Sequence, residues 1–196
     1  MIRLDRFDNS WYRPGGSPVS RTLWFFLGAP LLRCSIQPTS AIRRGLLRMF
    51  GAKVGQGVVI KPGVRVKYPW RLRVGDHAWI GEDVWIDNLA DIELGSHSCV
   101  SQGAYLCTGN HDWSDPNFGL RVEPITIGEG AWVGAKATVC PGISLGNYGV
   151  LTAGSIAVRP IPKLEIHAGN PAEFIRSRRI GEKRFDGAEV LGIARQ

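Results

Sequence analysis

Of the four histidines in this 196-residue chain, His111 has the setting best suited to chemistry. It lies in the run Cys107-Thr108-Gly109-Asn110-His111-Asp112-Trp113, where an otherwise regular sequence pattern breaks off. Imidazole accepts or releases a proton near neutral pH, so a histidine at the root of a loop is a candidate general base. Asp112 and Glu123 are carboxylates that could orient its ring, and a backbone carbonyl could do so equally well. His77 and His97, 20 residues apart, point to a different chemistry, a metal site. Catalytic zinc needs three protein ligands and an open position, and a third ligand is not evident. The cysteines at 34, 99, 107 and 140 are scattered, with no C-x-x-C pair. Cys107, although near His111, reads as a small wall residue, as do Cys99 and Cys140.

These residues are carried on a beat of six. Val54, Ile60, Val66 and Leu72 begin it; Val74, Ile80, Ile86 and Ile92 continue; Leu94, Val100 and Leu106 follow, and Ile127, Val133, Val139, Leu145, Leu151 and Ala157 complete it. An aliphatic residue at every sixth position fits neither a heptad nor strand alternation and reads as a β-solenoid. The position four residues further on (Val58, Val64, Ala78, Val84, Ala90, Ser98, Ala104, Ala131, Ala137, Ile143) is small or branched, as a narrow interior demands. Three short strands per coil give an all-β prism of triangular section, its coils about one strand spacing apart. The beat slips by two residues at Leu72/Val74 and Ile92/Leu94, and such slips belong at corners. Between Leu106 and Ile127 the gap is 21 residues, one hexad plus an insertion, and compact chains seldom carry such a loop without a use for it.

The chain therefore divides into a non-repetitive N-terminal region (1–53), a coil region (54–162) with a protruding loop at about 112–126, and a polar tail (163–196). The Glu173 to Lys183 part of the tail looks partly helical. In the first region, Leu23-Trp24-Phe25-Phe26-Leu27 and Leu31-Leu32 form an apolar run too short to span a bilayer. Ile42, Leu46, Leu47 and Phe50 then follow helical spacing among Arg43, Arg44 and Arg48, with Gly51 as a stop. Two readings stand together: a helical cap sealing the solenoid, and a basic element in residues 20–50 in peripheral contact with an anionic membrane.

Composition sets the class. An apolar content of 44%, with 25 glycines and 12 prolines, suits one domain rich in tight corners. No secretory leader precedes Arg3, Asp5 and Arg6, so the expectation is a reduced, cytoplasmic protein, with a peripheral place at the inner membrane face as the variant. A formal charge of +7 favours anionic partners. Without an RNA-binding aromatic signature or zinc-finger spacing, nucleic acid is not expected, and a small phosphate-bearing ligand is.

The series Pro124-Ile125-Thr126-Ile127-Gly128, Trp132-Val133-Gly134, Pro141-Gly142-Ile143, Gly146, Ala153-Gly154-Ser155, Ile161-Pro162 and Ala168-Gly169-Asn170-Pro171-Ala172 resembles the galactoside and maltose branch of the hexapeptide-repeat acyltransferases. A closer resemblance, covering nearly the whole chain, is to the colanic acid biosynthesis acetyltransferases. It is carried by Leu46-Leu47-Arg48-Met49-Phe50-Gly51-Ala52-Lys53-Val54-Gly55, by Tyr68-Pro69-Trp70 and by Leu106-Cys107-Thr108-Gly109-Asn110-His111-Asp112. The resemblance implies a left-handed parallel β-helix with an N-terminal helical cap and a short C-terminal helix. It also implies a homotrimer with active sites between subunits, acetyl-CoA as donor, no metal, and a sugar hydroxyl as acceptor. The left hand comes from the resemblance alone, since parallel crossovers are right-handed in about 98% of cases. Galactoside-type enzymes have proline after the histidine. Asp112 matches the colanic type, which directs the expectation to a glycan acceptor, either lipid-linked or nucleotide-linked.

By position, His111 matches the family's catalytic histidine, acting by direct transfer without an acyl-enzyme. Trp132 corresponds to an aromatic residue of the coenzyme A channel. Gly134 and Gly154 would allow close backbone approach. Ala135, Ala153 and Val158 match donor-contacting positions, while Arg159 and Arg176 match basic positions near the nucleotide phosphates. Asp87 and Asn88 fall where the family binds its acceptor, and Trp85, Trp113 and Phe118 either stack on a sugar or cover apolar surface. Two other readings remain. One is a metal enzyme of the γ-carbonic anhydrase kind using His77 and His97, although that family's histidine pair five residues apart is missing. The other is a non-catalytic solenoid binding module.

Overall fold

Every aliphatic residue of the six-residue beat turns inward, and Ile60, Leu72, Ile80, Ile86, Ile92, Leu106, Ile127, Leu145 and Leu151 are fully buried. The residues four positions on are buried as well, from Val58 to Ile143. This interior results from a parallel β-helix of triangular section, seen in a computed structural model that describes residues 1–35 and 39–181. Its first face stacks the strands Lys53–Val54, Leu72–Val74, Ile92–Leu94, Ile125–Ile127 and Ser144–Leu145. The second face stacks Val59–Ile60, Trp79–Ile80, Cys99–Val100, Trp132–Val133 and Val150–Leu151, and the third Arg65–Val66, Trp85–Asp87, Tyr105–Cys107, Thr138–Val139 and Ile156–Ala157.

Register follows the beat. Val54 lies beside Val74 and Ile60 beside Ile80, a 20-residue step, whereas Ile127 lies beside Leu145, an 18-residue step. The slips are accommodated at a corner. Leu72 and Val74 share one strand with Arg73 facing out between them, so both enter the core. The added residues lengthen the preceding corner, where Pro69–Arg71 forms a 3-10 turn. At the corner between the first and second faces, His77 and His97 adopt left-handed backbone at φ 56° and 57°. Their rings stack with centroids 5.3 Å apart.

The N-terminal end is helical. Helix α1 (Pro18–Leu23) starts at Ser17, whose side chain accepts from the Ser20 amide. It runs through a π turn (Trp24–Gly28) into α2 (Ala29–Arg33), and α3 (Ser40–Met49) follows, ending as Gly51 takes φ 91°. The first coil has no coil before it, so its backbone groups need other partners. Trp24 Nε1 donates to the Val66 carbonyl at 3.1 Å, Arg44 to Val58 at 2.6 Å, and Arg48 to Val54 and Gly55. Ser40 Oγ donates to the Ile60 carbonyl and accepts from the Ile60 amide. Arg44 and Arg48, part of the basic element expected to face a membrane, are thus turned onto the edge of the prism.

The expected helical stretch in the tail is corrected. Ala172–Ser177 is a strand antiparallel to Glu165–Gly169, and that hairpin extends the second face through Val150 beside Ile166. Glu173 to Ser177 are all exposed, so the strand is held by backbone pairing to Glu165–Gly169 and shows no burial alternation that a sequence reading could have used. The remainder of the tail from residue 182 lies outside the described residues.

Shortening a layer of the core should leave a cavity that rigid stacking cannot close. Ile80→Ala is expected to lower stability by about 2–5 kcal/mol in urea unfolding.

Candidate active site

The loop leaves at the corner between the third and first faces, after Tyr105–Cys107 and before Ile125–Ile127. Thr108 anchors its root: fully buried, its hydroxyl donates to the Asp87 carbonyl at 2.9 Å and accepts from the Ala90 amide at 3.0 Å. Beyond it the chain forms a hairpin, Gly109–His111 against Leu120–Val122, with His111 opposite Leu120.

The backbone orients the histidine. His111 Nδ1 lies 2.9 Å from the Phe118 carbonyl oxygen. A carbonyl only accepts, so in the neutral ring Nδ1 carries the proton and Nε2 carries the lone pair. The Phe118 ring stacks on the imidazole with centroids 4.4 Å apart and planes 9° from parallel. Phe7 packs against it at 5.4 Å. Neither carboxylate touches the ring. Asp112 accepts from the Ser114 hydroxyl and amide and pairs with Arg121, contacts that hold its carboxyl below the usual range, Ser114 first. Glu123 lies against the Gly142 turn.

His111 lines a cavity of about 500 Å³. The N-terminal segment contributes Phe7, Asn9, Tyr12 and Pro14, the loop contributes Leu120, and successive corners contribute Lys67, Tyr68 and Leu89. That segment is tied across the site. The Arg3 amide donates to the Pro116 carbonyl, Tyr12 Oη to the Leu89 carbonyl at 2.7 Å, and Trp70 Nε1 to the Pro14 carbonyl at 2.7 Å. Burial pushes the Tyr12 phenol up to about 12, so it stays a neutral donor. The sequence reading missed these walls, because residues 1–16 fall outside the repeat. Lys67 and Tyr68 did carry a signal, since the 20-residue register sets them beside Asp87 and Asn88.

The two acceptor candidates separate. Asp87 is buried beside the cavity wall. It accepts from Tyr105 Oη at 3.0 Å and lies 3.0 Å from Lys67 Nζ, which supplies charge without a well-directed hydrogen bond to Oδ1. Burial, then Cys107 and Asp87, push the Tyr105 phenol far above its ordinary range. Asn88 is fully buried, and its amide is used up on the preceding coil: Oδ1 accepts from the Tyr68 amide at 2.9 Å and Nδ2 donates to the Tyr68 carbonyl at 2.7 Å. Trp113 is 78% exposed. Trp85 stacks on Tyr105, and the Arg65 guanidinium lies over the Trp85 ring, 4.7 Å from its centroid. Burial raises the Cys99 and Cys140 thiols, and Cys107 Sγ donates to the Gly109 carbonyl.

The donor candidates lie on another edge. Trp132, Gly134 and Ala135 flank the corner between the second and third faces, and Ala153 and Gly154 flank it one coil on, with the Gly154 amide donating to the Ala135 carbonyl at 2.8 Å. A Cβ on Gly134 would run into the Ala153 backbone, so its glycine is required by coil stacking, whereas Gly154, at φ 70°, faces open space. Trp132 is half-exposed and donates to Ser101 Oγ at 2.8 Å. Val158 and Arg159 follow the third face, Arg159 pairs with Glu173 at 3.6 Å, and Arg176 lies on the terminal hairpin. Within one chain, the width of the third face thus separates the glycine-lined corner from the corner that releases the His111 loop. Among the described residues no group of three or more His, Cys, Asp or Glu side chains is placed to hold a metal, and the His77–His97 stack has no third ligand.

This prism, with one histidine-bearing loop at a corner, is the architecture of hexapeptide-repeat acyltransferases. The model described as hexapeptide repeat of succinyl-transferase matches residues 124–156. WcaF of Escherichia coli (strain K12), which bears the name of a colanic acid biosynthesis acetyltransferase, is 42% identical over 164 residues, covering 84% of this chain and 90% of its own. The chain belongs to the hexapeptide-repeat acetyltransferase family. A galactoside acetyltransferase solved in complex with coenzyme A superposes with a TM-score of 0.75 at 24% identity, covering 86% of each chain. The Vibrio cholerae O1 acetyltransferase VCA0836, solved with acetyl coenzyme A, gives 0.72 at 22% identity, covering 82% of this chain and 88% of that one. The shared fold is the left-handed parallel β-helix.

Because the Asn88 amide is consumed by coil stacking, Asn88→Ala is expected to act on stability. Two backbone groups left unpaired at about 1–3 kcal/mol each should lower stability by roughly 2–6 kcal/mol, read by thermal and urea unfolding.

Proposed function

We propose that this chain is an acetyl-CoA-dependent O-acetyltransferase that esterifies a sugar hydroxyl in polysaccharide biosynthesis, with His111 as general base. The observation that carries the reading is the ring of His111, fixed through Nδ1 by the Phe118 carbonyl at the wall of a 500 Å³ cavity. The acceptor oxygen gives its proton to Nε2 as it attacks the thioester carbonyl; the tetrahedral intermediate collapses, the C–S bond breaks, and the coenzyme A thiolate takes the proton back. Direct transfer needs no protein nucleophile, which suits the raised thiols of Cys99 and Cys140. The name of WcaF supports a glycan acceptor, and the bound ligands of the structural neighbours support coenzyme A as carrier.

Asn9, Tyr12 and Lys67 give the acceptor cavity the hydrogen-bonding groups a lipid-linked or nucleotide-linked sugar requires. In our reading Asp87 holds Lys67 in place, and Trp132, Gly134, Ala135, Ala153, Gly154, Val158, Arg159 and Arg176 form the donor wall. That wall lies on a different edge from His111, which supports a homotrimer in which one subunit's histidine faces its neighbour's glycine-lined corner. The second face offers a matching surface, since Val59, Trp79, Cys99 and Trp132 align outward along it. Four free thiols suit a cytoplasmic location.

With acetyl-CoA and lipid-linked or nucleotide-linked glycans, thiol release should accompany an added acetyl mass on the glycan. His111→Ala should lower kcat by about 10²–10⁴ with little change in KM for acetyl-CoA; an unchanged kcat would remove the base from the scheme. Placement between subunits has its own test. His111→Ala and Ala153→Trp chains, each inactive alone, should regain about a quarter of wild-type activity when co-assembled at random in a cyclic trimer.

A further inference from the structure

Residues 9–75 contain twelve Lys and Arg and not one Asp or Glu, whereas from Asp76 onward acids outnumber bases. The cationic stretch builds the helical end and the first coil. Lys61, Lys67, Arg71 and Arg73 pair with Glu82, Asp87, Asp91 and Glu93 of the following coil. Arg21 and Arg33, near the two ends of the α1–α2 helix, have no acidic partner among the described residues.

That helix is apolar on both sides. Trp24, Gly28 and Leu32 face the prism and are buried. Val19, Leu23, Phe26, Leu27 and Leu31 recur at i, i+4, i+7, i+8 and i+12 on the opposite side and are all exposed, Phe26 at 68%. Between Arg21 and Arg33 eleven consecutive residues carry no charge. A helix apolar all round needs a second apolar surface to cover it. Eleven residues rise about 16 Å, half of the ~30 Å hydrocarbon core, which fits a helix lying in the plane of the interface.

We propose that this outer face of α1–α2 inserts into the headgroup boundary of an anionic bilayer, with Arg21 and Arg33 drawn to its surface charge. A second copy docked on the same face would bring two cationic ends together and repel. An anionic bilayer meets both the uncharged stripe and the one-signed charge. The proposal stands independently of acyl transfer.

The test is sedimentation of the full chain with vesicles of phosphatidylcholine alone or mixed with phosphatidylglycerol. The protein is expected to partition onto the mixed vesicles. Phe26→Ser with Leu27→Ser should reduce that partitioning at least tenfold by removing buried apolar area. Arg21→Gln with Arg33→Gln should reduce it about tenfold on anionic vesicles only. Unfolding midpoint and sedimentation-velocity mass are expected to stay at parent values in both variants. Absence of partitioning, or partitioning indifferent to both pairs, overturns the proposal. A change of oligomeric mass in the Phe26/Leu27 variant also overturns it, by assigning the face to contact between protein chains.

Discussion

A coil of parallel β-structure can bond only to the coils before and after it, so the first coil presents a row of carbonyls that the repeat itself cannot satisfy. Everything at the N-terminal end answers that constraint. Arg44, Arg48, Ser40 and Trp24 reach onto Val58, Val54, Gly55, Ile60 and Val66. Guanidinium groups suit the task because they donate several hydrogen bonds and accept none. A carboxylate there would compete with the carbonyls for the same donors. Closing the edge thus gathers positive charge at one end of the prism, and the polarity of the sequence, basic before Asp76 and acidic after, has a structural cause.

The same stacking decides where chemistry can sit. Inside the prism each position is fixed by the residue one coil away, so an excursion is tolerated only at a corner. The loop at 108–124 uses the corner where the register is already lengthened, above the Tyr68 and Asn88 turns. Thr108 ties its root to Asp87 and Ala90, so a flexible insertion begins from a rigid point. The N-terminal segment then crosses the loop through Arg3 and the corner through Tyr12, enclosing His111 between the outermost and the innermost parts of the chain.

The coils were legible because a six-residue period fits a triangular solenoid and a two-residue slip or a 21-residue gap marks its departures directly, whereas the left hand was carried by the family resemblance and not by the period. The helix around Leu46 and Leu47 was legible for the same reason, as its spacing and Gly51 stop are local signals. His111 stood out because it sits at the single large break. What the sequence hid was contact between segments far apart. Asn88 was read as binding the acceptor, yet both ends of its amide are spent on Tyr68, which lies 20 residues earlier. Gly134 was read as making room for a ligand, and coil stacking independently requires its glycine, since a Cβ there would meet the backbone of Ala153. The strap from Phe7 to Pro14 lies outside any repeat, and the terminal hairpin presents polar side chains that carry no clear period.

The imidazole of His111 and the carbonyl that sets its tautomer are separated by only seven residues of one hairpin. The histidine and the carbonyl that orients it thus form a short, self-contained cassette, while the cavity walls at Phe7, Asn9, Tyr12 and Pro14 come from the far end of the chain. Substitutions at Asn9, Tyr12 or Pro14 would reshape the cavity while the Phe118 carbonyl keeps its hold on Nδ1 of the ring. The shape of the cavity and the aim of its histidine are thus set by separate parts of one chain, so that one can vary while the other is kept.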